Sequence, residues 1–126
     1  MADTERVDSG IAAQLTVRAE VLRARYRSRL PKSLDDLDGP DHGVVDLPLH
    51  VVWSGRTSFP LDRPRAQMSL YRAVLAEGQH DDLTMLLNRR LLLGQWPVLR
   101  RLVSPYVREA WENAFPELAR TASAAA

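Results

Sequence analysis

Cysteine is absent from all 126 residues, which excludes disulfides, thiolate metal sites and cysteine nucleophiles. No apolar run approaches the roughly 20 residues that a membrane span requires. The polar opening MADTERVDSG lacks the basic and apolar stretches of a secretory signal, so a cytoplasmic protein is expected. Lysine is almost missing: of 17 basic residues only Lys32 is a lysine, and the rest are arginines. Arginine favours planar, bidentate contacts with carboxylates and phosphates. A one-signed charge is missing too, because 16 acidic residues leave a net charge of +1. That balance argues against a dedicated nucleic-acid coat, although a local patch is still able to bind phosphate.

What remains is ordinary globular material. A hydrophobic content of 45% suits one folded domain of modest core, whose margin of stability a partner would improve. Val7, Ile11, Leu15, Ala19, Leu22, Tyr26 and Leu30 recur every three or four residues, which predicts one long helix from about Thr4 to Leu30, ended by Pro31. Ser33 reads as the N-cap of a short helix carrying Leu34 and Leu37. Between Val44 and Trp53 the apolar residues alternate as in a strand, but Pro48 stands at the centre and no second convincing strand is found. A short helix starting at Pro48 and closed by Gly55 is the preferred reading there.

From Met68 to Leu118 the chain reads as short amphipathic helices punctuated by glycine and proline. One starts near Asp62–Pro64, buries Met68, Tyr71, Val74 and Leu75, and stops at Gly78. The next opens with Asp81 and Asp82, turns Leu83, Leu86, Leu87 and Leu91 inward, and ends at Gly94. Pro97 starts a short helix with Leu99, Leu102 and Val103. Ser104–Pro105 opens the last, whose face is Val107, Ala110, Trp111, Ala114 and Phe115, with Arg108 and Glu112 paired on its surface. Pro116 is expected to end the order. The fold class is therefore all-α: a small irregular bundle of about five to six short helices with a long N-terminal helical arm. The divisions are an arm over 1–38, a module over 39–118 and a disordered tail over 119–126.

No constellation of catalytic residues emerges, and no metal or cofactor is implied. His42, His50 and His80 lack the helical His-x-x-x-His spacing of a zinc site and read better as exposed or capping residues. The cluster Ser54-Gly55-Arg56-Thr57-Ser58 has the composition of an anion-binding loop, but without the Gly-Lys-Ser/Thr of a P-loop it reads as a polar turn. Residues Asp81 to Val103 carry a weak helix-turn-helix signal, with Gly94 in the turn. A recognition helix over Pro97–Val103 offers only Arg100 and Arg101 to base edges. The densest charge is the run Arg18, Arg23, Arg25, Arg27, Arg29 and Lys32 against Glu20 alone. With Tyr26 its only aromatic, it is poorly built to stack single-stranded bases.

Arg90 falls inside an apolar stripe, where a guanidinium must snorkel, pair with a carboxylate or face another protein. An internal ion pair explains it equally well. Arg89, Arg90, Arg100 and Arg101 are the residues assigned to a partner surface. Trp96 is the candidate aromatic anchor, with burial in the core the stronger alternative for it.

A family resemblance runs from Leu47 to Leu118, about the last three-fifths of the chain. It is carried by Val52-Trp53-Ser54-Gly55-Arg56, Leu61-Asp62-Arg63-Pro64, Ser69-Leu70-Tyr71-Arg72-Ala73-Val74-Leu75-Ala76-Glu77-Gly78, Asp81-Asp82-Leu83, Leu87-Asn88, Trp96-Pro97, Val107-Arg108-Glu109-Ala110-Trp111-Glu112 and Phe115-Pro116-Glu117-Leu118. These segments resemble small helical proteins of high-GC bacteria, some of which resemble antitoxins paired with nucleotidyltransferase-type toxins of the abortive-infection class. The motifs are packing and capping patterns, and no catalytic residue carries over. The resemblance implies a non-enzymatic protein that neutralises a cognate toxin by direct binding. The alternative is a DNA-binding, autoregulatory transcription factor using residues 81–103. The partner's identity and the oligomeric state are not assigned by the sequence.

Overall fold

The computed structural model describes residues 2–52 and 55–125, with side chains from Gly10 to Ala124 within them. It is all-α apart from one small hairpin-like sheet. The helices are α1 (Ala2–Arg29), α2 (Pro64–Glu77), α3 (His80–Leu86), α4 (Arg89–Leu102), α5 (Pro105–Ala114) and α6 (Pro116–Ala125). Strands β1 (Val44–Asp46) and β2 (Ser58–Pro60) lie between α1 and α2.

The arm helix ends at Arg29, two residues before Pro31. Its periodic stripe is used unevenly: Leu22, Tyr26 and Leu30 are half-buried, whereas Ile11 and Leu15 are exposed. α1 packs against α5 and, more lightly, α3. Ser33 caps the following 3-10 turn (Leu34–Asp36) by accepting the Asp35 N–H, and Leu34 and Leu37 enter the main core.

The expected helix at Pro48 is not formed, and the segment begins as a strand. Val45 pairs with Phe59 in antiparallel register, flanked by Val44 with Pro60 and Asp46 with Ser58. The partner strand, Ser58-Phe59-Pro60, is too short to show a periodicity in sequence and ends in proline. In a two-stranded sheet both strands are edges, so Pro60 forfeits no interior ladder bond. Pro48 lies beyond β1, where its carbonyl accepts the N–H groups of Val51 and Val52 in a tight turn. Val45, Leu47, Phe59 and Leu61 are buried while Val44 and Asp46 face outward, the alternation of a strand covered on one side. Trp53 and Ser54 lie outside the described residues.

α2 follows the expected stripe, with Leu70, Tyr71 and Val74 fully buried and Met68 half-buried. Its cap is Arg63 rather than Asp62, with Pro64 at the first helical position. The break between the next two helices falls earlier than the glycine and proline pattern suggests. α3 stops at Leu86, and Asn88 starts α4 by accepting the Leu91 N–H at 3.2 Å. α4 then continues through both Gly94 and Pro97. An internal proline costs a helix about 3 kcal/mol. That penalty is offset because Leu92, Trp96 and Leu99 are each 0% exposed on one face. Burial of a large apolar side chain contributes about 1.5–3 kcal/mol.

At the C-terminal end, Ser104 caps α5 by accepting the Val107 N–H, and Trp111 meets Phe115 with ring centroids 5.5 Å apart. Pro116, expected to end the order, instead opens α6 at a position where a missing N–H costs nothing. Leu118 is 0% exposed, so α6 closes the core beside α4 and α5.

Candidate interaction surfaces

The α4 arginines differ in what they touch. Arg89 bridges Glu117 on α6, at 2.5 Å, and Asp35 beyond α1, at 3.4 Å. Arg90 does not lie within the apolar stripe: its side chain is 73% exposed, with Nη2 3.2 Å from Asp41. The internal ion pair is thus the arrangement found. Arg100 pairs with Glu112 on α5 at 3.0 Å, and its carbonyl accepts a hydrogen bond from Arg108. Glu112 is therefore engaged by α4 rather than by Arg108, the partner expected along its own helix. Arg101 is exposed and has no carboxylate partner among the described residues. Trp96 is 0% exposed, so its indole serves the core and cannot reach a partner while the fold is intact.

Beneath the arginines lies a polar seam with little exposure. The Tyr71 hydroxyl accepts the Asn88 N–H at 2.9 Å, and the Asn88 side chain donates to Gly39 O at 3.2 Å. The loop is held from its other side as well, since Asp38 N–H donates to Thr84 O and Gly39 N–H to Leu87 O. Burial pushes the Tyr71 hydroxyl pKa up to about 12, with the Asn88 hydrogen bond acting in the opposite direction. Asp41, at the rim, is held below its ordinary value by its hydrogen bond with His42 and then by Arg90. These groups organise the junction of α3 and α4 and do not converge on a cavity.

The three histidines sit apart. His42 contacts Asp41, His50 contacts Asp82, each at 2.6 Å, and His80 lies 3.2 Å from Arg29 O. Asp82 also accepts the Gln79 N–H as part of a capping box, so the His50 contact supports the start of α3. Among the described residues no three histidines or carboxylates are grouped to hold a metal ion. The polar turn before β2 is also internally committed: Arg56 donates to Ser58 O at 2.7 Å and stacks over Phe59.

The arm presents a different surface. Every residue from Gly10 to Arg18 is exposed. Ile11, Leu15, Val17 and Val21 are 51%, 58%, 62% and 55% exposed, on a helix that also displays Arg18 and Arg25. Below them the arm is fastened. Arg23 reaches Glu109 on α5 at 3.2 Å and Glu20 at 2.9 Å, while its guanidinium lies 5.6 Å from the Tyr106 ring centre. Those carboxylates, Glu109 first, raise the Arg23 pKa further. A cleft of about 390 Å³ opens beside this contact, between α1 and α5. In sequence Arg23 and Arg27 are no more than charge, because Glu109 and Tyr106 lie more than 75 residues away and only the packing of α5 brings them there.

Among the described residues no helix is long and apolar enough to cross a membrane. No family model, curated protein or solved structure matches the chain.

Proposed function

We propose that this chain is a non-enzymatic interaction protein, an antitoxin-like partner that binds and neutralises a nucleotidyltransferase-type toxin. The observation that carries the interaction role is the apolar surface of α1: Ile11, Leu15, Val17 and Val21 are all more than half exposed on one helix. Leaving such a surface in water forfeits about 25 cal/mol for each Å² that a partner would cover. Ile11 and Leu15 share one side of the helix and Val17 and Val21 another, so a partner covering all four must wrap around the arm. Arg18 and Arg25 beside the apolar positions favour a groove edged by carboxylates. The class of partner comes from the resemblance of Leu47–Leu118 to small helical proteins of high-GC bacteria, some of which resemble such antitoxins.

Arg101, exposed and unpaired among the described residues, and Arg90, paired but 73% exposed, are the α4 side chains still available to a partner. Arg89 and Arg100 are already committed to internal carboxylates. The DNA-binding alternative draws less support, because the exposed surface of α4 includes Val98 and Leu102, which suit a base-reading helix poorly.

Co-expression with any nucleotidyltransferase encoded beside the gene, and with candidate toxins of that class, tests the proposal. A co-purifying complex and restored growth are expected. Absence of such a neighbour, together with no complex with candidate toxins, overturns it.

A further inference from the structure

The cleft between α1 and α5 has a wall, a floor and one uncommitted charge. Its wall is preformed: Arg23 is held by Glu109 and Glu20 and stacked on Tyr106, so that side chain is fixed before any ligand arrives. Its floor is apolar, made by Leu30 of the arm and by Ala110 and Ala114 of α5. Two lining guanidiniums face one lining carboxylate. Glu109 and Glu20 both answer Arg23, and Arg27 alone is left with no carboxylate partner among the described residues. Across the cleft the Asn113 side chain makes no hydrogen bond among the described residues. One free cation and one free amide above an apolar floor complement a single negative charge on an apolar body.

From this juxtaposition we infer that the α1–α5 cleft is a binding site for a small monocarboxylate with an aliphatic or aromatic tail. Arg27 and Asn113 hold the carboxylate, and Leu30, Ala110 and Ala114 receive the tail. Guanidinium geometry matches a planar carboxylate with two parallel hydrogen bonds. A phosphate dianion would leave one charge unanswered in a site with one spare cation. The volume, about 390 Å³, lies within the range of small-molecule pockets. The ligand would touch both helices, so its occupancy fastens the arm to the body. This site is independent of the exposed apolar stretch near Gly10–Val21 and of any toxin.

The test is an NMR titration of the isolated full chain with octanoate, and with octanol and octylamine as probes of equal tail length. Octanoate is expected to give saturable shifts at Arg27, Leu30, Ala110, Asn113 and Ala114. Octanol and octylamine are expected to bind at least tenfold more weakly. Arg27→Gln, an exposed position that leaves the core untouched, should weaken octanoate at least tenfold. Ala114→Met, also at an exposed position, should block the tail and abolish saturation. The inference is overturned if octanol binds as well as octanoate, if Arg27→Gln leaves the affinity unchanged, or if the shifts spread over the surface without saturating.

Discussion

The Tyr71 hydroxyl accepts the Asn88 backbone N–H at 2.9 Å, joining the buried face of α2 to the residue that caps α4. Tyr71 is 0% exposed, so Tyr71→Phe would keep the packing and strip Asn88 of a partner that water cannot readily replace. An unsatisfied buried donor costs about 1–3 kcal/mol. Tyr71→Phe is therefore expected to lower the urea midpoint with an unchanged m-value. An unaltered midpoint would show that the hydrogen bond contributes nothing net.

Gly39 and Gly94 should respond oppositely to alanine. A Cβ at Gly39 would lie 2.4 Å from the Leu86 carbonyl carbon and 2.5 Å from its oxygen, where the loop is pressed against the α3–α4 junction. Gly39→Ala must push the loop away, breaking the Asp38–Thr84 and Gly39–Leu87 bonds, at a cost of about 1–3 kcal/mol. A Cβ at Gly94 meets nothing within 4 Å inside α4, so Gly94→Ala should stabilise by roughly 0.8–1 kcal/mol. Paired denaturation curves check both signs.

Asp41 gives the fold an acid sensitivity with a defined sign. His42 and Arg90 lower its pKa in the folded chain, so unfolded protein binds the proton more readily. The stabilisation is present above the ordinary carboxylate value of about 3.9 and is lost as pH falls through the depressed folded value. Asp41→Asn should remove this part of the acid dependence. Parallel stability curves for the two proteins below pH 5 would contradict it.

The legible parts of this chain were those where local chemistry and burial agree. Ser33, Gly78 and Ser104 mark boundaries that the structure keeps, because each solves a helix-end problem locally. Gly94 and Pro97 misled because the buried face of α4 overrides their local preference for a break. β2 was invisible because three residues ending in proline have no periodicity of their own, and their order comes from pairing with β1. The fate of the α4 arginines was equally non-local: Asp35, Asp41, Glu112 and Glu117 reach them from four different segments. The exposed face of α1 looked like core in sequence, since Ile11 and Leu15 continue the same stripe that Leu22 and Tyr26 bury.

That face should matter for binding and not for folding. Ile11→Asp with Leu15→Asp changes two positions that are more than half exposed, so the unfolding free energy should move by no more than about 0.5 kcal/mol for each. Circular dichroism and denaturation should match the parent chain, while toxin affinity falls at least tenfold. Unchanged affinity would remove α1 from the interface.

Hydrogen exchange of the chain, free and in complex with a nucleotidyltransferase-type toxin that co-purifies with it, tests the proposal most directly. New protection is predicted to concentrate on the amides of residues 10–21, the stretch carrying the exposed apolar side chains of α1. A stable complex in which those amides exchange as fast as in the free chain, with protection elsewhere, would contradict it.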